Sequence, residues 1–146
     1  MNRDLSVSKS IDINASAQNV WRVLTEPDKI KVYLFGTNTI TDWNVGSPIT
    51  FQGEYEGHTY TDKGNVLENT PHTLLKYNYW SGFSGLEDKP ENYSIITYTI
   101  EEGSQGQVHF TWTQEGFATE QGYQHTENGL PAMLEQIKQL AENIDA

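Results

Sequence analysis

The sequence predicts an α+β fold in which a curved antiparallel sheet wraps a long C-terminal helix, with two short helices after the first strand. Three observations predict it. Apolar and aromatic residues alternate at period two through the middle of the chain. Leu130, Leu134, Ile137, Ala141 and Ile144 then recur at helical spacing, with Met133 and Leu140 broadening the stripe. The connections between strand segments are short, which favours an antiparallel meander. A sheet with one wet face must bury the other, and the terminal helix carries the stripe to cover it. About 25 residues of helix span nearly 40 Å, enough to cross such a sheet.

The first strand is set by Val7, Lys9, Ile11 and Ile13 on one face against Ser8, Ser10 and Asp12 on the other. Ser16 is placed to cap a helix carrying Ala17, Val20, Trp21 and Leu24, and Pro27 disfavours its continuation. A second short helix is predicted over 28–34, with Gly36 as its stop. Residues 39–43 are β-branched and aromatic and predict a strand, followed by a turn at Asn44-Val45-Gly46-Ser47-Pro48. Ile49, Phe51, Gly53 and Tyr55 alternate up to a hairpin turn at Glu56-Gly57. The next strand, 58–68, has Tyr60 and Val66 on one parity. Beyond Pro71, residues 73–80 place Leu75, Tyr77 and Tyr79 on one face and Leu74 and Trp80 on the other.

Residues 81–92 form a connection too long for an ordinary hairpin, and long loops in compact domains are often functional lids. Phe83 and Leu86 within it need something to pack against. Ile96, Tyr98 and Ile100 give the next strand, Gly103-Ser104-Gln105-Gly106 a turn, and Val108, Phe110 and Trp112 the last strand. The helical pattern starts near Thr119. Gly129 and Pro131 predict a kink or a fresh helix start.

The chain has 146 residues, 36% hydrophobic and 20% charged, as expected of one globular domain spanning 1–146. Twenty acids against nine bases give a formal charge of -11. Such a surface repels phosphate backbones, so neither nucleic acid nor an anionic membrane is an expected partner; the charge favours solubility. No cysteine is present, which excludes disulfides and thiolate chemistry. The polar start Met1-Asn2-Arg3-Asp4-Leu5 lacks the apolar region of a secretory signal, and no apolar run approaches the roughly 18 residues of a membrane span. A cytoplasmic location is the expectation. Asn14-Ala15-Ser16 and Asn92-Tyr93-Ser94 match the glycosylation sequon, read without a signal as chance matches.

Seventeen aromatic residues, four Trp, eight Tyr and five Phe, fall largely on the inward parities. Two readings of them stay open. They are a packed core, since strands attract such residues anyway, or they line a wedge-shaped cavity between sheet and helix. The expected cavity wall is Leu34, Phe35, Phe51, Tyr60, Tyr79, Phe83, Tyr98, Phe110, Trp112, Leu130, Met133 and Ile137.

Reactive chemistry is thinly signalled. His58, His72, His109 and His125 lack the spacing of a zinc site, and His109 is expected to face solvent opposite Phe110. Glu101-Glu102 reads as solvated, whereas Glu54 or Glu68 near the sheet interior could act as a base if its pKa were raised. Neither a Gly-x-Ser-x-Gly elbow nor a phosphate-binding glycine loop occurs, and Ser81 in Trp80-Ser81-Gly82 has no assignable base. No catalytic residue, metal or cofactor is expected.

The run Ile11-Asp12-Ile13-Asn14-Ala15-Ser16-Ala17-Gln18-Asn19-Val20-Trp21, with Leu24-Thr25-Glu26-Pro27, resembles the opening of START-like helix-grip (SRPBCC) proteins. More narrowly it resembles the group of activator homologues of the heat-shock protein 90 ATPase. Asp42-Trp43-Asn44-Val45-Gly46-Ser47-Pro48, Gly64-Asn65-Val66-Leu67-Glu68-Asn69-Thr70-Pro71 and Leu74-Leu75-Lys76-Tyr77-Asn78-Tyr79-Trp80 also fit, as does the ending Gly129-Leu130-Pro131-Ala132-Met133-Leu134. Gln114 departs from the pattern, since many members carry histidine there. The resemblance implies a helix-grip fold with a ligand cavity between sheet and long helix, and no single activity. Binding of a small apolar or amphipathic molecule is the leading expectation. A co-chaperone-like protein-binding module and a cyclase- or hydrolase-type enzyme are the alternatives.

Overall fold

The alternation of Val7, Lys9, Ile11 and Ile13 produces strand β1, Asn2–Ile13, with Val7 and Ile13 buried. Lys9, on the same parity, reaches past the sheet to pair with Glu127 of the terminal helix at 2.6 Å. A long aliphatic stem lets such a residue cover apolar surface while its ammonium finds a partner. The computed structural model describes residues 1–144; the side chain of Tyr55, expected to point inward, lies outside the described set.

Ser16 caps α1, Ala17–Thr25, its hydroxyl accepting the Asn19 N–H at 3.1 Å. Val20, Val23 and Leu24 are its buried face. Pro27 ends that helix and opens α2, Pro27–Tyr33, where a missing N–H costs nothing. The predicted strand over 39–43 is shorter than expected: only Asn38–Ile40 pairs, as β2. Trp43 explains the break. Its indole N–H donates to the Thr25 carbonyl at 2.9 Å, its own carbonyl accepts from Asn69 at 2.8 Å, and its φ is +64°. These ties pull the chain out of the sheet plane.

The remaining strands are β3 (Pro48–Tyr55), β4 (His58–Thr70), β5 (Leu74–Tyr79), β6 (Ser94–Glu102) and β7 (Val108–Phe117). Glu56 and Gly57, both at positive φ, make the tight turn between β3 and β4. All seven strands join one antiparallel sheet in the order β1-β7-β6-β5-β4-β3-β2. The concave face of the sheet receives α3, Glu120–Glu142, capped by Thr119. Of the kink or fresh start expected near Gly129 and Pro131, the fresh start does not occur; one helix runs through both residues. Proline cannot donate to the Glu127 carbonyl. Its ring is on the exposed face, while Leu130, Leu134, Ile137 and Ala141 stay buried on the other, and that burial outweighs one lost bond. Among the described residues no helix is long and apolar enough to cross a membrane.

The C-terminal end of α3 is tied back to the first turn of the fold by Glu142. Its carboxylate receives the Lys138 ammonium and the Asn14 N–H, the latter at 2.8 Å, and these hold its pKa below the usual range. A folded value below the unfolded one makes this contribution full above about pH 5 and lost as pH falls through the folded value. Glu142→Gln is therefore expected to lower stability by about 0.5–1 kcal/mol at pH 7, a half-exposed pair being worth no more. Urea titrations of both proteins at pH 7 and pH 3 check this: the difference should shrink toward zero at the lower pH.

Candidate functional site

Where β5 and β7 end and β6 begins, the loop 81–92 folds over the concave face toward the start of α3. A serine cap begins it. The Ser81 hydroxyl accepts the Phe83 N–H at 3.2 Å, closing a 3-10 turn over Gly82–Ser84, and Gly85 at φ +76° reverses the chain. Straps then fix the loop. The Trp80 indole N–H donates to the Leu86 carbonyl at 3.2 Å, and Arg3 donates to the Glu91 and Tyr93 carbonyls, each at 2.6 Å. Lys63, lying over the Trp80 ring, pairs with Asp88, which also accepts from the Tyr93 hydroxyl at 2.5 Å. The Lys63 ammonium, then the Tyr93 hydrogen bond, hold the Asp88 carboxyl below its usual range. Burial and then the Asp88 bond push the Tyr93 phenol up to about 12.

Beneath this loop lies an open cleft of about 390 Å³, in the size range of small-molecule sites. Tyr79, Trp80, Phe83 and Phe117 supply its aromatic surface. Ser81, Ser94, Gln114 and Thr126 supply neutral polar groups, and no carboxylate side chain among the described residues lines it. A larger depression of about 670 Å³ lies between α2 and the far end of α3, edged by Arg22, Asp28 and Lys29. It sits outside the sheet–helix wedge, and Lys29 is already paired with Asp28 and Glu26. Location and lining both make the smaller cleft the candidate site.

Of the twelve residues expected at the cavity wall, the structure brings Tyr79 and Phe83 to the cleft. Phe51, Tyr98, Phe110, Trp112, Leu130 and Ile137 are buried in the core. Leu34, Tyr60 and Met133 are half-buried, and Phe35 is 77% exposed in the turn after α2. The buried rings are contiguous. Phe110 meets Tyr98 at 5.7 Å between centroids, Tyr98 meets Tyr77 at 5.6 Å, Tyr77 meets Phe51 at 6.0 Å, and Phe51 meets Tyr79 at 5.4 Å. The Tyr77 and Tyr98 hydroxyls bond each other at 2.7 Å, and burial raises both phenol pKa values.

Trp80, Ser81, Gln114, Phe117 and Thr126 are cleft residues that the expected wall omits. Two had a readable signal. Gln114 shares the parity of Phe110 and Trp112, and Thr126 lies four residues before Leu130 on the helix stripe. Glu54 and Glu68, considered as interior bases, are both exposed. The interior carboxylate is Asp62, 5% exposed, which accepts from the Tyr79 hydroxyl. Burial, then the Asp62 charge, drive the Tyr79 phenol well above its ordinary value. His109 turns outward to Asp12 at 2.8 Å, and no group of three side chains that could hold a metal occurs among the described residues.

The family described as Activator of Hsp90 ATPase homolog 1-like protein matches residues 14–142. The solution structure of a protein from Cytophaga hutchinsonii is 37% identical, over 98% of this chain and 97% of that one, with a TM-score of 0.82. The solution structure of the Aha1 dimer from Colwellia psychrerythraea is 17% identical over 95% and 97% of the two chains, TM-score 0.72. The crystal structure of an HSP90 activator from Plasmodium falciparum is 14% identical over 93% and 95%, TM-score 0.70. The last two likenesses show the fold alone. No curated protein matches the chain.

Proposed function

The chain belongs to the family of Activator of Hsp90 ATPase homolog 1-like proteins, and from that premise we propose that it binds a small, mainly apolar or amphipathic molecule in the cleft beneath the loop 81–92. The observation that carries this reading is the composition of the cleft wall. Four aromatic rings face a space of about 390 Å³, with hydroxyl and amide groups spaced around them. Apolar surface supplies affinity there, and a few neutral polar groups orient the guest. Phe83 is 69% exposed at the rim, its ring 6.0 Å from Tyr60, in a loop strapped at several points. A large apolar side chain held at such a position by Ser81 and Trp80 is placed to close over a guest.

Phe83→Ala tests this directly. Titration with 2-naphthol and with dodecanol, followed by tryptophan fluorescence, is expected to show saturable binding by the parent and about tenfold weaker binding by the variant. Its stability should change by no more than about 0.5 kcal/mol, because the side chain is largely in solvent already. Absence of saturable binding by the parent would remove the reading. Support for a protein-binding role toward heat-shock protein 90 comes from the family's description and from the descriptions of relatives at 17% identity or less. The acid–base enzyme alternative has little to draw on in a cleft whose described lining holds one histidine, His125, and no carboxylate side chain.

A further inference from the structure

Behind the Tyr79 hydroxyl, one side chain deeper than the cleft surface, sits a carboxylate with no counter-charge among the described residues. Asp62 lies on the inward face of β4, and its side chain is in the interior with 5% of the residue exposed. Its cross-strand partner on β3 is Phe51, and on the β5 side the Tyr79 hydroxyl donates to Oδ2. Tyr60 precedes it by two residues on the same face, and Phe83 packs edge-on against Tyr60. Ser81, two residues on from Tyr79, accepts the Phe83 N–H and lines the same cleft, so the loop and the residue that holds the buried carboxylate are neighbours in the chain and in the site. The adjacent Lys63 points to the opposite face and holds Asp88. Among the described residues Asp62 makes no ion pair with Lys, Arg or His.

A carboxylate in a protein interior is normally paired with a cation. Phe51 lies opposite it across the strands and the Tyr79 hydroxyl bonds it, while Tyr60 shares its face of β4 and carries Phe83 against its ring. Aromatic faces carry negative charge density and attract cations, more so out of water. The field of a chain with a formal charge of -11 also draws cations inward. Resting on the reading of the cleft given above, we infer that Asp62 is the recognition group for a protonated amine on the bound molecule. Its apolar body occupies the cleft, and its ammonium reaches the carboxylate beside the Tyr79 hydroxyl. The aromatic rings complete the shell around the nitrogen.

Two isosteric probes separate this inference from the reading it rests on: 2-naphthylmethylamine, cationic at pH 7, and 2-naphthylmethanol, neutral. Calorimetric titration of the parent is expected to show the amine binding at least about tenfold tighter. Asp62→Asn should abolish that preference, the amine falling to about the affinity of the alcohol. Equal affinities in the parent, or a preference that survives in D62N, overturns the assignment while the cleft reading stands. Binding of neither probe by the parent removes both. Should D62N fail to fold by circular dichroism, the crystal structure of the parent with 2-naphthylmethylamine decides: the ammonium nitrogen should lie within hydrogen-bond distance of an Asp62 carboxylate oxygen, and an ammonium seated elsewhere overturns the assignment.

Discussion

Replacing Gly64 with alanine is expected to destabilise the protein by about 3 kcal/mol or more, at the upper end of the range for overpacked interiors. For a chain of this length that lowers the melting temperature by roughly 6–12 °C. Gly64 lies on the inward face of β4, where β4 and β5 press together. Lys63 and Trp80 exchange backbone bonds at 3.0 and 2.8 Å on one side of the contact. On the other, the Asn65 N–H donates to the side-chain oxygen of Asn78 at 2.6 Å, in place of a ladder carbonyl. The backbone carbonyl of Asn78 is thereby turned toward Gly64, and a Cβ there would overlap it. The obstruction is backbone, so no rotamer change relieves it. The strands must separate, and the bridge that positions Trp80 and the cleft wall must loosen with them. Gly129→Ala is the matched control. That glycine is helical, with nothing within 4 Å of an added Cβ. There alanine should stabilise by about 0.5–1 kcal/mol. Thermal unfolding by circular dichroism reads both; a Gly64→Ala protein as stable as its parent would mean that the strands do not approach this closely.

Most of the architecture was legible because it is periodic. Val7, Lys9, Ile11 and Ile13 at spacing two, and Leu130, Leu134, Ile137 and Ala141 at spacing three to four, each specify an element and its inward face. Ser16 and Thr119 announce their helices by the same capping chemistry. Local pattern failed where a distant group decides. The residues 41–43 have strand-forming side chains, yet the Trp43 indole is claimed by Thr25 and its carbonyl by Asn69, and neither partner is a sequence neighbour. The site was less legible than the fold for a related reason. Parity puts Phe51, Tyr79, Tyr98 and Phe110 on one side of the sheet. Which of them reach the cleft depends on strand register and on where α3 begins its crossing, and both are tertiary facts. Asp62 shares the parity of Tyr60 and Val66, but a carboxylate is ordinarily placed outside, so pattern alone passes over it.

Phe110→Ala is expected to cost about 3–5 kcal/mol, the range for removing a buried ring, with little effect on binding in the cleft. Phe110 is 0% exposed and abuts Tyr98, whose ring lies 4.8 Å from Trp112. Deleting the ring leaves a void beside two large, rigid neighbours. Tyr98 is further held by its hydroxyl bond to Tyr77, and Trp112 by its edge contact with Tyr33 at 6.4 Å. Neither can swing in without breaking a second contact, so the cavity term is incurred nearly in full. A domain of this kind has about 5–15 kcal/mol in total, so the loss is a large share of its stability. Phe83 at the other end of the aromatic array behaves inversely, since its ring is mostly in solvent and meets Tyr60 rather than the buried rings around Phe110. The double variant is therefore expected to be additive in urea unfolding, within about 0.5 kcal/mol. Its binding defect should equal that of Phe83→Ala alone. Weakened probe affinity in Phe110→Ala, measured where the variant remains folded, would instead mean that the buried rings and the cleft form one adjustable space, with the guest reaching the centre of the sheet.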